Sequence, residues 1–279
     1  MSFFADYTTL FAVRESYIGS GSSSSDEVLA QLITRTSRQI DGICQRVFAP
    51  RILTHVYDLP SDSELTFDDD LLEVLALTNG DGTVIARYGD YKLYPLNFSA
   101  KHKLKLLGSG SSIFLPSSSG DVEGAISLSA VWGYHDRYAE AWVDVGAAIS
   151  AGVNASVTQI TVSPSRAIRA GQLVKIDSEY LYVRSVTVNA TSGDVLTVSR
   201  AANGSTAASH SSSASVLVWT NPLVEDLATQ AVVAYSRLRD NPAGESKNIG
   251  GNVFVTPKDV LKWISLRCAE LALLRGSFF

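Results

Sequence analysis

The sequence predicts an α+β fold: a small helical bundle, formed by an N-terminal helix and two C-terminal helices, that carries extensive antiparallel β insertions. Three observations lead there. Apolar residues recur at helical spacing in only three stretches, near residues 24–48, 222–240 and 257–275. Between the first and second of these, turn residues cut the chain into short runs rich in aliphatic, β-branched and aromatic side chains. No helical period occurs from about 144 to 219.

The first helix opens at Ser24, with Glu27 three residues on, the pattern of a reciprocal N-terminal cap. Val28, Leu29, Leu32, Ile33, Ile40, Ile43, Cys44, Val47 and Phe48 then share one face, and Pro50 ends the helix near Phe48. Strands follow at Leu71–Leu77, Val84–Tyr94, Lys103–Phe114 and Ala125–Trp132, with a turn at Asn79-Gly80-Asp81-Gly82. The second β block has strands at Gln159–Val162, Leu173–Ile176, Glu179–Val188, Val195–Arg200 and Ser215–Trp219. Asn221-Pro222 starts the second helix, a cap residue before a proline at the first helical position. Thr256-Pro257 starts the third, which runs through Val260, Leu261, Ile264, Cys268, Leu271 and Leu274 to Gly276. The chain thus divides into an N-terminal arm and helix (1–49), a first β region (50–143), an inserted β-barrel or sandwich module (144–220) and the C-terminal helices with their tail (221–279).

Composition narrows the function. The 279 residues carry 23 basic and 28 acidic side chains, a net charge of -5. Nonspecific nucleic-acid binding needs clustered Lys and Arg to neutralise phosphates, and the densest basic stretch is only Lys101-His102-Lys103-Leu104-Lys105. The apolar runs are too short and too interrupted by charge for a membrane span, which needs about 20 residues. Met1 to Asp6 lack the basic and apolar blocks of a secretory signal, so the Asn-x-Ser/Thr triplets at Asn97, Asn154, Asn189 and Asn203 are read as chance. Two cysteines, Cys44 and Cys268, are too few for a disulfide framework and fit a reducing compartment.

No catalytic signature emerges. His55, His102, His135 and His210 form no metal-binding pair, and the cysteines read as buried structural thiols with no basic neighbour to activate them. Asp68-Asp69-Asp70 reads as a solvated loop before a strand, and the Gly/Ser runs lack phosphate-cradle spacing. No catalytic residue, cofactor or metal is expected. The candidates are contact residues instead: Trp132, Tyr134 and Trp142 in an aromatic stretch, and Ile249 and Phe254 as apolar residues in a polar loop. Phe278 and Phe279 either fold back onto the core or dock in another protein, because exposed aromatic patches invite association.

Three patches carry a resemblance. Ile40-Asp41-Gly42-Ile43-Cys44-Gln45-Arg46-Val47-Phe48 resembles the end of the opening helix in head–tail connector (adaptor) proteins of long-tailed bacteriophages, which close in Cys/Gly-x-Arg-x-Phe. Leu75 to Thr83, with Tyr91 and Tyr94-Pro95-Leu96-Asn97, resembles related phage proteins. Val195 to His210 is similar to a β module of phage structural proteins, with Ala201 where that module usually has Gly after the Arg.

The resemblance implies a structural virion protein: an adaptor, expected as a dodecameric ring, between the portal protein and a stopper or tail-completion protein. DNA would pass through its lumen without specific binding, and an acidic lumen would avoid holding it. It further implies a portal-binding C-terminal segment, for which Arg267, Leu271, Leu274, Arg275, Phe278 and Phe279 are the candidates. The family is mainly helical, so the β length here marks a departure. A different neck or tail protein (stopper, tail-completion or baseplate) is the alternative, and a carbohydrate-binding β protein using Trp132 and Trp142 a third.

Overall fold

The computed structural model describes residues 5–16, 25–85, 87–110, 112–163, 167–189, 193–240 and 256–275. Helices α1 (Leu10–Ser16) and α2 (Asp26–Cys44) come first. Strands β1 (Arg51–Tyr57) and β2 (Glu64–Thr78), the one-turn helix α3 (Arg87–Asp90), β3 (Tyr91–Tyr94), β4 (Lys101–Leu106) and β5 (Ile126–Trp132) follow. Next are β6 (Trp142–Ala148), β7 (Gln159–Val162), β8 (Leu173–Ile176), β9 (Glu179–Thr187), β10 (Asp194–Ser199) and β11 (Ser215–Trp219). Helices α4 (Pro222–Asp240) and α5 (Pro257–Glu270) close the chain, and the fold is α+β with extensive antiparallel sheet. By contacts it divides into two compact units, residues 1–48 with 141–279, and residues 49–140. Among the described residues no helix is long and apolar enough to cross a membrane.

The unit formed by 49–140 is one antiparallel sheet in the order β1-β5-β2-β4-β3. Its core gathers Leu65, Phe67, Leu71, Leu77, Leu104, Ile126, Leu128 and Trp132. Register shifts in β2 between Thr66 and Leu71, and again near Glu73 and Ala76, bend the strand and break the simple in–out alternation. That bend explains a correction. Asp68-Asp69-Asp70 is not a loop before a strand but the middle of β2. Asp69 pairs with Arg51 at 2.8 Å, and buried Asp70 lies 3.5 Å from the His102 ring. The predicted strand at 84–94 reduces to β3, preceded by α3 and a single bridge from Val84 to Thr78. The predicted strand at 103–114 is β4, ending at Leu106 where the Gly/Ser segment begins.

The other unit joins a barrel to a helical bundle. Six strands run in the order β6-β11-β8-β9-β10-β7. The bridge Ile149↔Val162, the Ser150 N–H to Thr161 carbonyl bond at 2.9 Å and the Ser163 N–H to Ala148 carbonyl bond at 2.8 Å close that sheet on itself. Closure leaves no free edge between β6 and β7, which is how small all-β modules avoid edge pairing. Ile160, Val162, Val174, Ile176, Leu181, Val183, Leu196 and Val216 fill the interior. Gly193 (φ +94) sits where an added Cβ would lie 2.4 Å from the Val162 carbonyl oxygen, so only glycine fits.

In the bundle, α4 contacts α1, α2 and α5, and a small core forms from Val13, Leu29, Ile33, Val232 and Val233. The cap of α2 is Ser25, one residue after the expected Ser24; its hydroxyl accepts the Val28 N–H. The helix stops at Cys44, short of Phe48, because Gln45 turns into the left-handed region (φ 51) and donates its N–H to the Asp41 carbonyl. Residues 5–9 lie along α2 and α4. The Tyr7 N–H donates to the Ser37 hydroxyl at 3.0 Å, the Tyr7 hydroxyl donates to Asp41, and the Thr8 and Thr229 hydroxyls meet at 2.6 Å. Burial raises the Tyr7 phenol well above its ordinary range, with the Asp41 charge adding to the effect. The arm also ties bundle to barrel. Asp6 and Tyr182 of β9 share a hydrogen bond, and burial with that acidic neighbour pushes the Tyr182 phenol up to about 12. Arg169 stacks over the Phe11 ring of α1 at 4.4 Å.

Candidate functional site

The C-terminal candidates converge on the end of α5. The Thr256 backbone N–H and hydroxyl donate to the Asp259 carboxylate at 2.8 and 3.0 Å, and Pro257 occupies the first turn. Val260, Trp263, Ile264 and Cys268 face the bundle interior. Arg267 pairs with Glu270 at 2.7 Å, a partly exposed (i, i+3) pair. After Glu270 the chain makes a closing turn. Leu271 donates its N–H to the Arg267 carbonyl at 2.9 Å, Ala272 enters the left-handed region, and Leu273 donates to the Cys268 carbonyl at 2.8 Å. The Arg275 N–H then donates to the Cys44 carbonyl at 3.0 Å, satisfying a C-terminal acceptor of α2.

Arg267, Leu271, Leu274 and Arg275 are therefore brought together on one partly exposed turn fastened to two helices. Leu273, absent from the sequence candidates, is the anchor, buried at 2% exposure. Phe278 and Phe279, like Ile249 and Phe254, lie outside the described residues.

The aromatic candidates separate. Trp132 is fully buried, stacked on His55 with ring centroids 4.3 Å apart, and its indole N–H donates to the Leu53 carbonyl at 3.0 Å. Tyr134 is buried as well. Both are corrected from contact residues to core residues: the end of β5 lies inside its sheet's apolar layer, where an aromatic ring removes the most surface from water. Trp142 belongs to the other unit. It meets Trp219 edge-on and Tyr180 at tilted geometry, each at 5.1 Å, with the Lys175 ammonium 5.6 Å over its ring. It remains partly exposed. With Trp132 in a core, the sugar-stacking pair is lost.

No group of three or more His, Cys, Asp or Glu able to hold a metal occurs among the described residues. The cavity lined by Asp6, Thr8, Leu173, Trp219, Asn221 and Glu225 measures about 30 Å³. That is room for about two water molecules and no more. Burial raises the carboxyls of Asp6 and Glu225 on its wall.

The sequence reading missed the strongest polar constellation, which lies in the barrel. Glu179, fully buried, accepts two bonds from the Arg200 guanidinium at 2.6 and 2.7 Å. It also accepts the Ala201 and Ala208 N–H groups at 3.0 Å and meets His210 Nε2 at 2.9 Å. The other ring nitrogen of His210 lies 2.7 Å from Asp177. Arg200 also donates to the carbonyls of Asn154 and Val157 at 2.9 and 2.8 Å. Burial alone would raise the Glu179 carboxyl; the guanidinium, the two N–H groups and His210 outweigh it and hold it down to about 2.

Every acceptor site of Glu179 is thus engaged by the loop from Arg200 to His210, leaving no room for a substrate. The network pins that loop across the barrel. Ala201, whose N–H bonds to Glu179, lies in the left-handed region (φ 53). A hint was present in sequence: Arg200 and His210 are lone charged or titratable residues in the Ala- and Ser-rich stretch from Val195 to Ser213.

A second missed juxtaposition joins the two cysteines. Cys44 at the end of α2 donates its S–H to Cys268 of α5 with the sulfurs 2.8 Å apart, both buried. The donated hydrogen bond raises the Cys44 thiol and lowers that of Cys268. The two cysteines are therefore neighbours across the bundle rather than separate core thiols.

No protein-family model matches the chain. No curated protein matches it in sequence.

Proposed function

We propose that this chain is a structural virion protein, an adaptor that assembles as a ring between the portal vertex and the neck or tail of a long-tailed bacteriophage and lines part of the DNA channel. The observation that carries the reading is the closing turn of α5. Its backbone is tied to α2 by the Arg275 N–H and closed back onto α5 by the Leu273 N–H, while Arg267, Leu271, Leu274 and Arg275 stay partly exposed. A segment held rigidly with a mixed apolar and cationic surface loses little conformational entropy on docking. The residues after Arg275 leave from that fixed point and include two phenylalanines. Each Phe buried in a partner contributes roughly 1.5–3 kcal/mol, and repetition around a ring multiplies the effect through avidity.

Supporting this are the order of elements, with β insertions between an N-terminal helix and two C-terminal helices, and the resemblance of Cys44-Gln45-Arg46-Val47-Phe48 to the adaptor pattern. The acidic balance fits a channel that lets DNA slide. The barrel and the 49–140 sheet would decorate the ring or meet a stopper or tail-completion protein.

The test is co-purification with the portal protein of the same genome, using the full chain and a chain ending at Arg275. The shorter chain keeps the Arg275 bond to Cys44 and removes only residues 276–279. Retention of portal by the full chain, and its loss on truncation, is the expected result. A full chain that ignores portal overturns the reading. If that chain instead retained a stopper or tail-completion protein, it would move to another station of the neck or tail.

A further inference from the structure

Cys44 ends α2 and Cys268 lies in the last turns of α5, 224 residues apart in sequence. Their sulfurs are 2.8 Å apart, within about an ångström of the ~2.05 Å of a disulfide bond. Both side chains are buried and belong to the same compact unit. The backbone around them forms a single knot: Leu273 bonds to the Cys268 carbonyl and Arg275 to the Cys44 carbonyl.

We propose that Cys44 and Cys268 are a redox site, forming a reversible disulfide that locks α5 and its closing turn onto α2 when the protein meets a low-molecular-weight disulfide such as oxidised glutathione. The Cys268 thiolate attacks one sulfur of the oxidant, forming a mixed disulfide and expelling one thiolate. Cys44 then gives up its proton and attacks the Cys268 sulfur, expelling the second thiolate. The protein loses two protons and two electrons, and one oxidant disulfide becomes two thiols.

The S–H of Cys44 is directed at the Cys268 sulfur, which places Cys44 beside that atom for the second attack. Burial makes access the slow step, through opening of the Leu271–Arg275 turn, so the bridge forms slowly and, once formed, resists reduction. A protein made in a reducing cytoplasm would hold the turn by hydrogen bonds alone, and exposure to an oxidising exterior would add the covalent lock. The site stands independently of the adaptor reading, because its readout needs no portal.

The experiment treats the reduced full chain with oxidised glutathione, unfolds it under non-reducing conditions, and measures thiols and intact mass. Two free thiols falling to none, a loss of two hydrogens from the monomer, and a cross-linked peptide holding Cys44 and Cys268 are expected, all reversed by dithiothreitol. Cys44→Ser should form a glutathione adduct on Cys268 faster than Cys268→Ser forms one on Cys44, identifying the attacking thiol. Hydrogen exchange across Pro257–Glu270 should slow in the oxidised wild type. Two thiols persisting after prolonged oxidation, a stable adduct on the wild-type chain without an internal bridge, or linkage between chains would each overturn the proposal. Because the wild-type measurement decides, a poorly folding variant does not obscure it.

Discussion

Replacing Glu179 by Gln keeps the shape of the side chain but removes the one negative charge that, among the described residues, pairs with buried Arg200. The folded carboxyl sits at about 2 against an ordinary 4.5. A separation of that size, at about 1.36 kcal/mol per unit, corresponds to about 3 kcal/mol of stability carried by the ionised form. Breaking a buried ion pair by removing one partner typically costs about 3–5 kcal/mol, because the remaining charge stays buried without compensation. The two routes agree. Because the folded value is depressed, this stability is fully present above about pH 4.5 and fades as pH falls toward 2. The assay is hydrogen exchange of peptides covering β9, β10 and β11, since the chain has two compact units and a whole-chain melt mixes them. Glu179→Gln should lower protection of these strands at pH 7 by about 3–5 kcal/mol. The wild type should lose the same protection between pH 4.5 and 2. Glu64→Gln, which removes a partly exposed partner of Lys103 and Lys105, serves as the control and should leave protection of the 49–140 sheet unchanged. If Glu179→Gln exchanged like wild type at neutral pH, the network would be an ornament of the loop and the reasoning would fail.

Other outcomes follow from single positions. Ala201 in the left-handed region bears a penalty of roughly 1–2 kcal/mol that glycine lacks, offset by about 0.5–1 kcal/mol of extra chain entropy. Ala201→Gly should therefore stabilise the barrel by about 0.5–1 kcal/mol in the same exchange experiment. Trp132→Ala should cost about 3–5 kcal/mol in the 49–140 sheet, read by urea unfolding of that sheet's peptides, whereas Trp142→Ala, at a partly exposed ring, should cost far less. The isolated protein should show no retention of duplex DNA at physiological salt in a filter-binding assay; tight binding would contradict an acidic, non-holding lumen.

The elements legible in sequence were those whose neighbours repeat a simple rule. Gln159–Val162, Leu173–Ile176 and Ser215–Trp219 are short β-branched and aliphatic runs bounded by turn residues, and their limits agree with the sequence reading to the residue. The starts of α4 and α5 were fixed by Asn221-Pro222 and Thr256-Pro257, because cap chemistry is local. What was missed depends on partners. Helix α1 is seven residues, too short to display a period, and forms because Thr9 caps it and α4 covers it. Strand β1 mixes Arg51, Thr54 and His55 among its apolar residues, since it lies at an edge of its sheet. The end of α2 was overrun because Gln45, not a glycine, takes the left-handed turn. Of the candidate site, the convergence of Arg267, Leu271, Leu274 and Arg275 on one turn follows from their helical neighbourhood. The buried anchor Leu273 and the contact between Cys44 and Cys268 are products of tertiary packing that spacing alone does not encode.

The most direct measurement images the purified full chain mixed with portal protein. An adaptor should appear in end-on averages as a closed ring, coaxial with the portal and of twelve-fold symmetry. In side views it should add a layer to one end of the portal. A particle population in which portal rings stay bare and the chain remains monomeric would contradict the adaptor reading.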